Sequence, residues 1–455
     1  MASSGSWQTD RKLFGLLLAT ISVSFVFPEY IAPFFVFFLY IYFIIHMKKT
    51  GRNARLGDLG KVSFSYMCYM VVSGIWSHTH ILSSLVGLLW MGCFLGFIMV
   101  ANTVNTNDKL KNAITAINIS SGLTGLIGIA EFVTFNLSHH TKWFNFIIAN
   151  PLYYQFNDKV FDLLPFDVVN NMYASRASAT FDNPLILATF LVLTTPFCAF
   201  GTVFFKHSLN RTISTVCLIL TLGGVFCTES RGAYIAVALT IFTLLVSNKK
   251  IFKKLFPFII VLAIGVPIIW VTRIKNSPAG DMLTSNNSRL RIWDCSLKVF
   301  LEHPIIGLGA GTENLHQLII QRIHTDRAHA HNLFLQLAVE GGIIGIIFTI
   351  AIIAVIARNL YKLFTLKENK YRPYAIVYTS AFIGFITMSL FEHTLQSPKE
   401  MMIYFFLLGF IEATYRMATD TIQLAPDEVS TYHELEAEDF EEAEEENVIK
   451  ELLKK

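Results

Sequence analysis

The sequence predicts an all-α polytopic membrane protein with about twelve transmembrane helices and a small helical external (periplasmic) subdomain. Three observations carry the prediction. Hydrophobic residues make up 53% of the 455 positions and charged residues only 15%, against about 25% charged in ordinary soluble domains. The mean hydropathy is +0.50. Apolar stretches close to the roughly 20 residues that cross a bilayer as a helix recur along nearly the whole chain, built in part from 40 phenylalanines in continuous runs rather than alternating strands.

Taken in order, spans are expected near 12–28, 30–47, 61–77, 81–101, 112–135, 184–205, 212–229, 231–247, 255–272, 332–356, 373–391 and 400–416. The first ends at Pro28-Glu29 without a small-residue cleavage pattern, so it reads as a retained span and not a signal peptide. Loop charges orient the set. Lys48, Lys49, Arg52 and Arg55 follow the second span, Lys109 and Lys111 the fourth, and Lys206 and Arg211 the sixth. Lys249, Lys250, Lys253 and Lys254 follow the eighth, and Arg358, Lys362, Lys367, Lys370 and Arg372 the tenth. Every second connection is thus rich in Lys and Arg, as cytoplasmic loops are, which places both termini in the cytoplasm. The short connections near 28–30, 78–80 and 229–231 face outward.

Two outward connections are long, 136–183 and 273–331. Ordered loops of that length usually carry function or structure of their own. The second holds helix-like stretches, Ser288–Glu302 and Asn314–Ile323, on either side of His303-Pro304-Ile305-Ile306-Gly307-Leu308-Gly309-Ala310-Gly311. Residues 1–419 therefore form the membrane domain with these two external loops. Residues 420–455, with thirteen Asp/Glu against three Lys, form an acidic cytoplasmic tail of the kind that stays solvated. The basic residues are spread as topology signals, so nucleic-acid binding has no support, and membrane lipids are the expected surroundings. The six cysteines have no metal-ligand or disulfide-framework spacing and read as small buried hydrophobes.

Chemistry must then come from polar residues on the outer side. Arg231 opens a span within Glu229-Ser230-Arg231-Gly232-Ala233. An arginine there runs against the positive-inside preference. It either pairs with Glu229, marks the interface, or meets an anion at a helix N-terminus. In Asn287-Ser288-Arg289-Leu290-Arg291-Ile292-Trp293, Arg289 and Trp293 share a helix face at spacing i, i+4 while Arg291 points elsewhere. An arginine fork suits phosphate, and a tryptophan face supports a sugar ring or packs on lipid. A solvated amphipathic helix is the alternative. In His329-Ala330-His331-Asn332-Leu333-Phe334-Leu335-Gln336, His331 opens a span, where a helix start favours the neutral imidazole that acts as a base. Helical spacing places His331, Leu335, Ala338 and Gly342 on one face. The His329/His331 pair has no neighbouring third ligand, so a metal is not expected. Together the three sites fit one chemistry. Two arginines hold the diphosphate of a lipid-linked sugar, and a neutral histidine takes the proton of an acceptor hydroxyl.

These segments resemble the O-antigen ligase and O-antigen polymerase superfamily of bacterial membrane glycosyltransferases. The resemblance rests on the motifs at 229–233, 288–293 with 303–311, and 329–336 with Gly341-Gly342. Arg176-Ala177-Ser178-Ala179-Thr180-Phe181-Asp182-Asn183-Pro184 adds a further element, with Ala179 where the family often has glycine. It implies a metal-independent enzyme, without cofactor, in the bacterial cytoplasmic (inner) membrane with its site facing the periplasm. The donor would be an undecaprenyl-diphosphate-linked glycan. By motif, His331 is the expected catalytic residue and Arg231 and Arg289 hold the diphosphate, with Arg176, Arg291, Trp293, His329 and Asn332 as further substrate contacts. The leading expectation is an O-antigen ligase, with the lipid A core as acceptor. An O-antigen or capsule polymerase would use a second lipid-linked glycan. A polysaccharide transporter would instead show polar residues within spans and internal repeats.

Overall fold

Each span begins or ends where local chemistry allows. Asn183 accepts from the backbone N–H groups of Leu185 and Ile186, with Pro184 in the first turn, and so starts one helix. Ser397 and Glu400 form a reciprocal capping box around Pro398 and start another. Gly51, at φ +66°, closes a third in the left-handed conformation that glycine adopts without strain.

The computed structural model describes residues 3–138 (positions 28 and 30 excepted), 176–247, 253, 254, 256, 260, 279–325, 329–366 and 370–419. Of these, 82% are helical and none forms a strand. Thirteen α-helices follow one another among the described residues: α1 Ser3–Val23, α2 Ala32–Thr50, α3 Gly57–Val72, α4 His80–Thr103, α5 Asn107–Ser138, α6 Pro184–Phe204, α7 Ser208–Cys227, α8 Arg231–Ser247, α9 Ala279–Glu302, α10 Glu313–Ile323, α11 Leu333–Thr365, α12 Arg372–Ser389 and α13 Pro398–Ala418.

Eleven of the twelve expected spans coincide with a helix, and the segment 255–272 falls almost wholly outside the described residues. The count of twelve is not confirmed. Among the described residues seven helices are long and apolar enough to cross a bilayer, namely α2, α4, α5, α6, α7, α11 and α13, while α8 is apolar but shorter. Residues 139–175 of the first long connection, expected to be external, and the whole acidic tail also lie outside the described residues.

Burial sorts the bundle into a centre and a rim. The apolar windows of α6 and α13 are 94% and 89% inside the protein, against 28% for α2. Helix α6 packs against α5, α7 and α12, and α13 packs against α4 and α11. One continuous core joins them, with Phe25, Phe190 and Phe406 buried together across three elements. Outside this core, α9 and α10 bury a smaller cluster of their own. Ile292, Cys295, Val299, Leu315 and Ile319 meet Leu308, Ala330 and Val339 there.

That second unit is locked to the bundle through a break in α11. Gly342 sits at φ +61° and ψ −158°, so the helix is interrupted. The loop 303–311 fills the gap. Pro304 and Ile305 carbonyls accept from the N–H groups of Ile343 (2.7 Å) and Ile344 (3.3 Å), while Leu308 and Gly309 N–H groups donate to Val339 (2.9 Å) and Glu340 (3.0 Å). The Tyr69 hydroxyl donates to the carbonyls of Ile306 and Gly341. Backbone freed by a broken helix at membrane depth must find partners within the protein, and this loop supplies them.

The expected helical face of His331, Leu335, Ala338 and Gly342 does not exist. Helix α11 starts only at Leu333 with Asn332 as its N-cap. His331 lies outside the helix at φ +50°, and Gly342 lies at the break. The helical spacing therefore does not apply across either end.

Candidate active site

The residues of the 329–336 motif gain their positions from four hydrogen bonds. Asn332 Oδ1 accepts from Leu335 N–H (3.0 Å), and Asn332 Nδ2 donates to the Leu390 carbonyl (3.3 Å). One side chain thus caps α11 and straps it to the α12–α13 connection. Ala330 N–H donates to Gln336 Oε1 (2.9 Å), and the Ala330 carbonyl accepts from the Trp293 indole N–H (2.9 Å). The chain at 329–331 is held on both sides, and His331 takes the left-handed conformation uncommon for a residue with a Cβ.

So held, the His331 ring meets Glu392, which is 61 residues downstream in the α12–α13 connection. Nδ1 lies 3.0 and 3.1 Å from the two carboxylate oxygens. Burial pushes the Glu392 carboxyl up, but the hydrogen bond and charge of His331, the charge of His329 and the His393 backbone N–H outweigh it and hold it at about 2. An ionised carboxylate only accepts. His331 Nδ1 therefore carries a proton, and in the neutral ring it is Nε2 that keeps the lone pair.

Two more imidazoles surround this pair. His329 Nδ1 lies 3.4 Å from Glu392 Oε1 and accepts from the His331 backbone N–H at 3.2 Å. The His393 ring lies 5.7 Å from that of His329, centre to centre. Its burial, together with the charge of His329, pushes His393 down to about 3, so it stays neutral. Neither of its ring nitrogens has a hydrogen-bond partner among the described residues. The three groups His329, His331 and Glu392 offer ligand atoms all within 4.8 Å of one another. The premise that the histidine pair lacks a third ligand is thus corrected by the fold, which brings Glu392 from a distant connection.

Arg231 is the first residue of α8, with Ser230 Oγ accepting from Ala233 N–H at 3.3 Å. A Cβ on Gly232 would meet the Phe391 side chain at 3.5 Å, so the first turn of α8 lies against the residue before Glu392. Arg231 is exposed. Arg176 docks on the turn just before it. Its Nε donates to the Thr228 carbonyl (2.9 Å), and Ala177 N–H donates to the Cys227 carbonyl (2.9 Å).

The rest of the 176–184 motif is gripped from below. Glu131 accepts from the N–H groups of Ser178 (2.9 Å) and Ala179 (2.6 Å), with Ala179 at φ +51° in the left-handed conformation that glycine adopts more readily. The buried Lys399 ammonium donates to the Thr180 carbonyl (2.6 Å) and the Phe25 carbonyl (3.1 Å). Glu29 accepts from Asp182 N–H at 3.1 Å.

On α9, Arg289 shares the face of Trp293, whose indole reaches Ala330, and is only partly buried. Arg291 turns to the other side and donates to the Ile323 carbonyl at the end of α10 (3.0 Å). Fold and motif thus gather His329, His331 and Asn332, hold them through the Trp293 bond to Ala330, set the turns carrying Arg176 and Arg231 beside them, and engage Arg291 elsewhere. Glu392, His393, Glu131 and Lys399 escaped sequence reasoning. The one local hint was Glu392-His393, a polar pair ending an apolar span on the same side as His331.

With this geometry in place, residues 216–350 match the family model described as O-antigen ligase. The matched stretch contains Arg231, Arg289, Arg291, Trp293, His329, His331 and Asn332 and supports the O-antigen ligase superfamily. Arg176 and Glu392 lie outside it. No curated protein matches the sequence.

Proposed function

From its place in the O-antigen ligase superfamily, we propose that this membrane enzyme transfers a glycan from undecaprenyl diphosphate to the lipid A core, on the outer face of the inner membrane. The observation that carries the proposal is the His331–Glu392 pair beside the start of α8. An imidazole whose Nδ1 proton is fixed by an ionised carboxylate presents Nε2 as a base. The helix start carrying Arg231 abuts the residue next to that carboxylate.

The reaction then balances with these groups. The acceptor hydroxyl oxygen attacks the anomeric carbon of the donor, and the bond from that carbon to the diphosphate oxygen breaks. The hydroxyl proton passes to His331 Nε2, giving an imidazolium that Glu392 stabilises. The polyprenyl diphosphate leaves, and its developing charge is met by the guanidinium forks of Arg231 and Arg289. Arg176 sits under the Arg231 turn and supports it. The Trp293 indole N–H holds the histidine segment in place. None of these steps uses a metal.

Glycan gels of a deletion strain test the reading. Long polymer accumulating on the polyprenyl carrier, with bare lipid A core, is the expected result. A single repeat unit on the core would assign the protein to polymerisation instead. Unchanged glycans on both carriers would overturn the enzyme reading altogether.

A further inference from the structure

Two contacts compete at His329 Nδ1. With Nδ1 bare, its lone pair accepts the His331 amide hydrogen but faces the Glu392 Oε1 lone pairs at 3.4 Å. With Nδ1 protonated, the carboxylate is satisfied, but the new hydrogen meets that of the His331 amide. Either tautomer sets like against like in a buried site, where such a conflict is costly. A cation between the two lone pairs removes the repulsion by bonding to both, and the His331 amide then gives up its bond to Nδ1, whose single lone pair the metal takes.

The spacing fits one class of cation. A tetrahedral zinc with bonds of about 2.1 Å sets its ligands about 3.4 Å apart. Glu392 Oε1 lies 3.4 Å from His329 Nδ1 and 3.0 Å from His331 Nδ1, and all three ligand atoms fall within 4.8 Å of one another. Two imidazoles with one carboxylate suit zinc, cobalt or nickel, while magnesium and calcium prefer oxygen alone. A second observation points to the same place. His393 is 3% exposed, and both its ring nitrogens are buried without a partner among the described residues. Its ring stands beside that of His329, 5.7 Å away centre to centre.

We propose that His329, His331 and Glu392 form an inhibitory binding site for a divalent transition metal of the zinc class. The consequence for catalysis follows from the tautomer, and in that respect the inference rests on the proposed transferase reading. Coordination at His331 Nδ1 uses the lone pair that replaces the N–H there, and the displaced proton moves to Nε2. No proton is gained or lost overall, but Nε2–H has no lone pair with which to accept from a hydroxyl. The metal also takes the Glu392 oxygen that oriented the ring. Bound metal therefore switches the base off.

The test uses the full-length protein in detergent, stripped with a chelator and titrated with ZnCl2, with MgCl2 as the control. One zinc and no magnesium bound per chain is the expected stoichiometry. His329→Ala and Glu392→Gln should each weaken zinc binding by about tenfold or more, at an unchanged size-exclusion profile. Absent stoichiometric zinc, or binding that neither substitution weakens, would overturn the site. Should the variants fail to fold, cobalt bound to the unaltered protein decides the matter. Strong visible absorption of a four-coordinate nitrogen–oxygen centre supports the site, and the weak spectrum of an octahedral ion overturns it. Zinc should also stop glycan transfer, with chelator restoring it, and transfer that requires zinc would overturn the inhibitory role. Metal binding is measured without any glycan. Failure to transfer both in the stripped enzyme and with zinc would therefore sink the ligase reading and leave the metal site standing.

Discussion

At the scale of single residues, the Glu392 carboxylate does what no neighbour in sequence does for His331. It fixes which ring nitrogen carries the proton. Glu392→Gln would place an amide at the same position, and its NH2 can donate to Nδ1 and so force the proton onto Nε2. That variant is expected to lose about 10²-fold or more in kcat with a smaller change in donor KM, measured by transfer from a lipid-linked donor in detergent. His331→Ala should fall at least as far. Arg231→Ala and Arg289→Ala should abolish transfer with the protein still inserted, and normal transfer by either would remove that arginine from the donor grip. His331 was legible because histidine at a membrane boundary within a recurrent motif is an unusual placement. Glu392 was not, because its relation to His331 is a contact across 61 positions that no helical period or motif spacing encodes. The same holds for Lys399, whose ammonium is fully buried against Thr180 and Phe25. In the sequence it reads only as an ordinary charge at the start of a span.

At the scale of elements, two short segments decide whether the site exists. The first is the break in α11. A Cβ on Gly342 would lie 2.4 Å from the Ile305 carbonyl oxygen, at φ +61°. Gly342→Ala should therefore cost about 1–3 kcal/mol through strain alone, seen as a lower unfolding midpoint, and should displace the 303–311 loop. Gly92→Ala is the matched control, since nothing lies within 4 Å of its Cβ position and alanine favours a helix interior. Equal destabilisation by both would remove the interlock from the account. The second segment is 176–183, pinned at Glu29 and Asp182. Burial, then the adjacent Asp182 charge, pushes Glu29 up from its usual 4.5 to about 8, and burial likewise raises Asp182. The folded-state values exceed the unfolded ones, so this stabilisation is complete below about pH 4.5 and is lost as pH rises through 8. Unfolding midpoints should fall across that interval, and Glu29→Gln should flatten the fall. A profile that stays steep in the variant would show that other groups govern it. Both segments carried motifs visible in the sequence, Gly341-Gly342 and 176–184. Their partners were hidden because they come from α3, α5 and the α1–α2 turn.

At the scale of the whole molecule, charge and contact divide the protein into two ends. At one end Arg52 meets Asp10, Arg358 meets Asp58, and Arg416 reaches the Arg55 carbonyl, tying together the connections rich in Lys and Arg. At the other end are Glu29, the 176–183 segment, the turn before Arg231, His331 and Glu392. The alternation of basic loops in the sequence anticipated this division because it depends only on counting spans. It could not anticipate how many helices meet a length-and-hydropathy requirement, since α1, α3, α8 and α12 are shorter or more polar than it demands. The division fixes a prediction about sidedness. Leu301, on α9, and Tyr361, near the far end of α11, are 64% and 68% exposed. Five of the six native cysteines are buried, and Cys68 alone is half-buried. In a Cys68→Ser background, Leu301→Cys should react with a membrane-impermeant maleimide once the outer membrane alone is opened. Tyr361→Cys should react only after the inner membrane is broken as well. The reversed pattern would put His331 and the arginines on the cytoplasmic side, away from a periplasmic lipid A core acceptor, and the proposed transfer would have no substrate to act on.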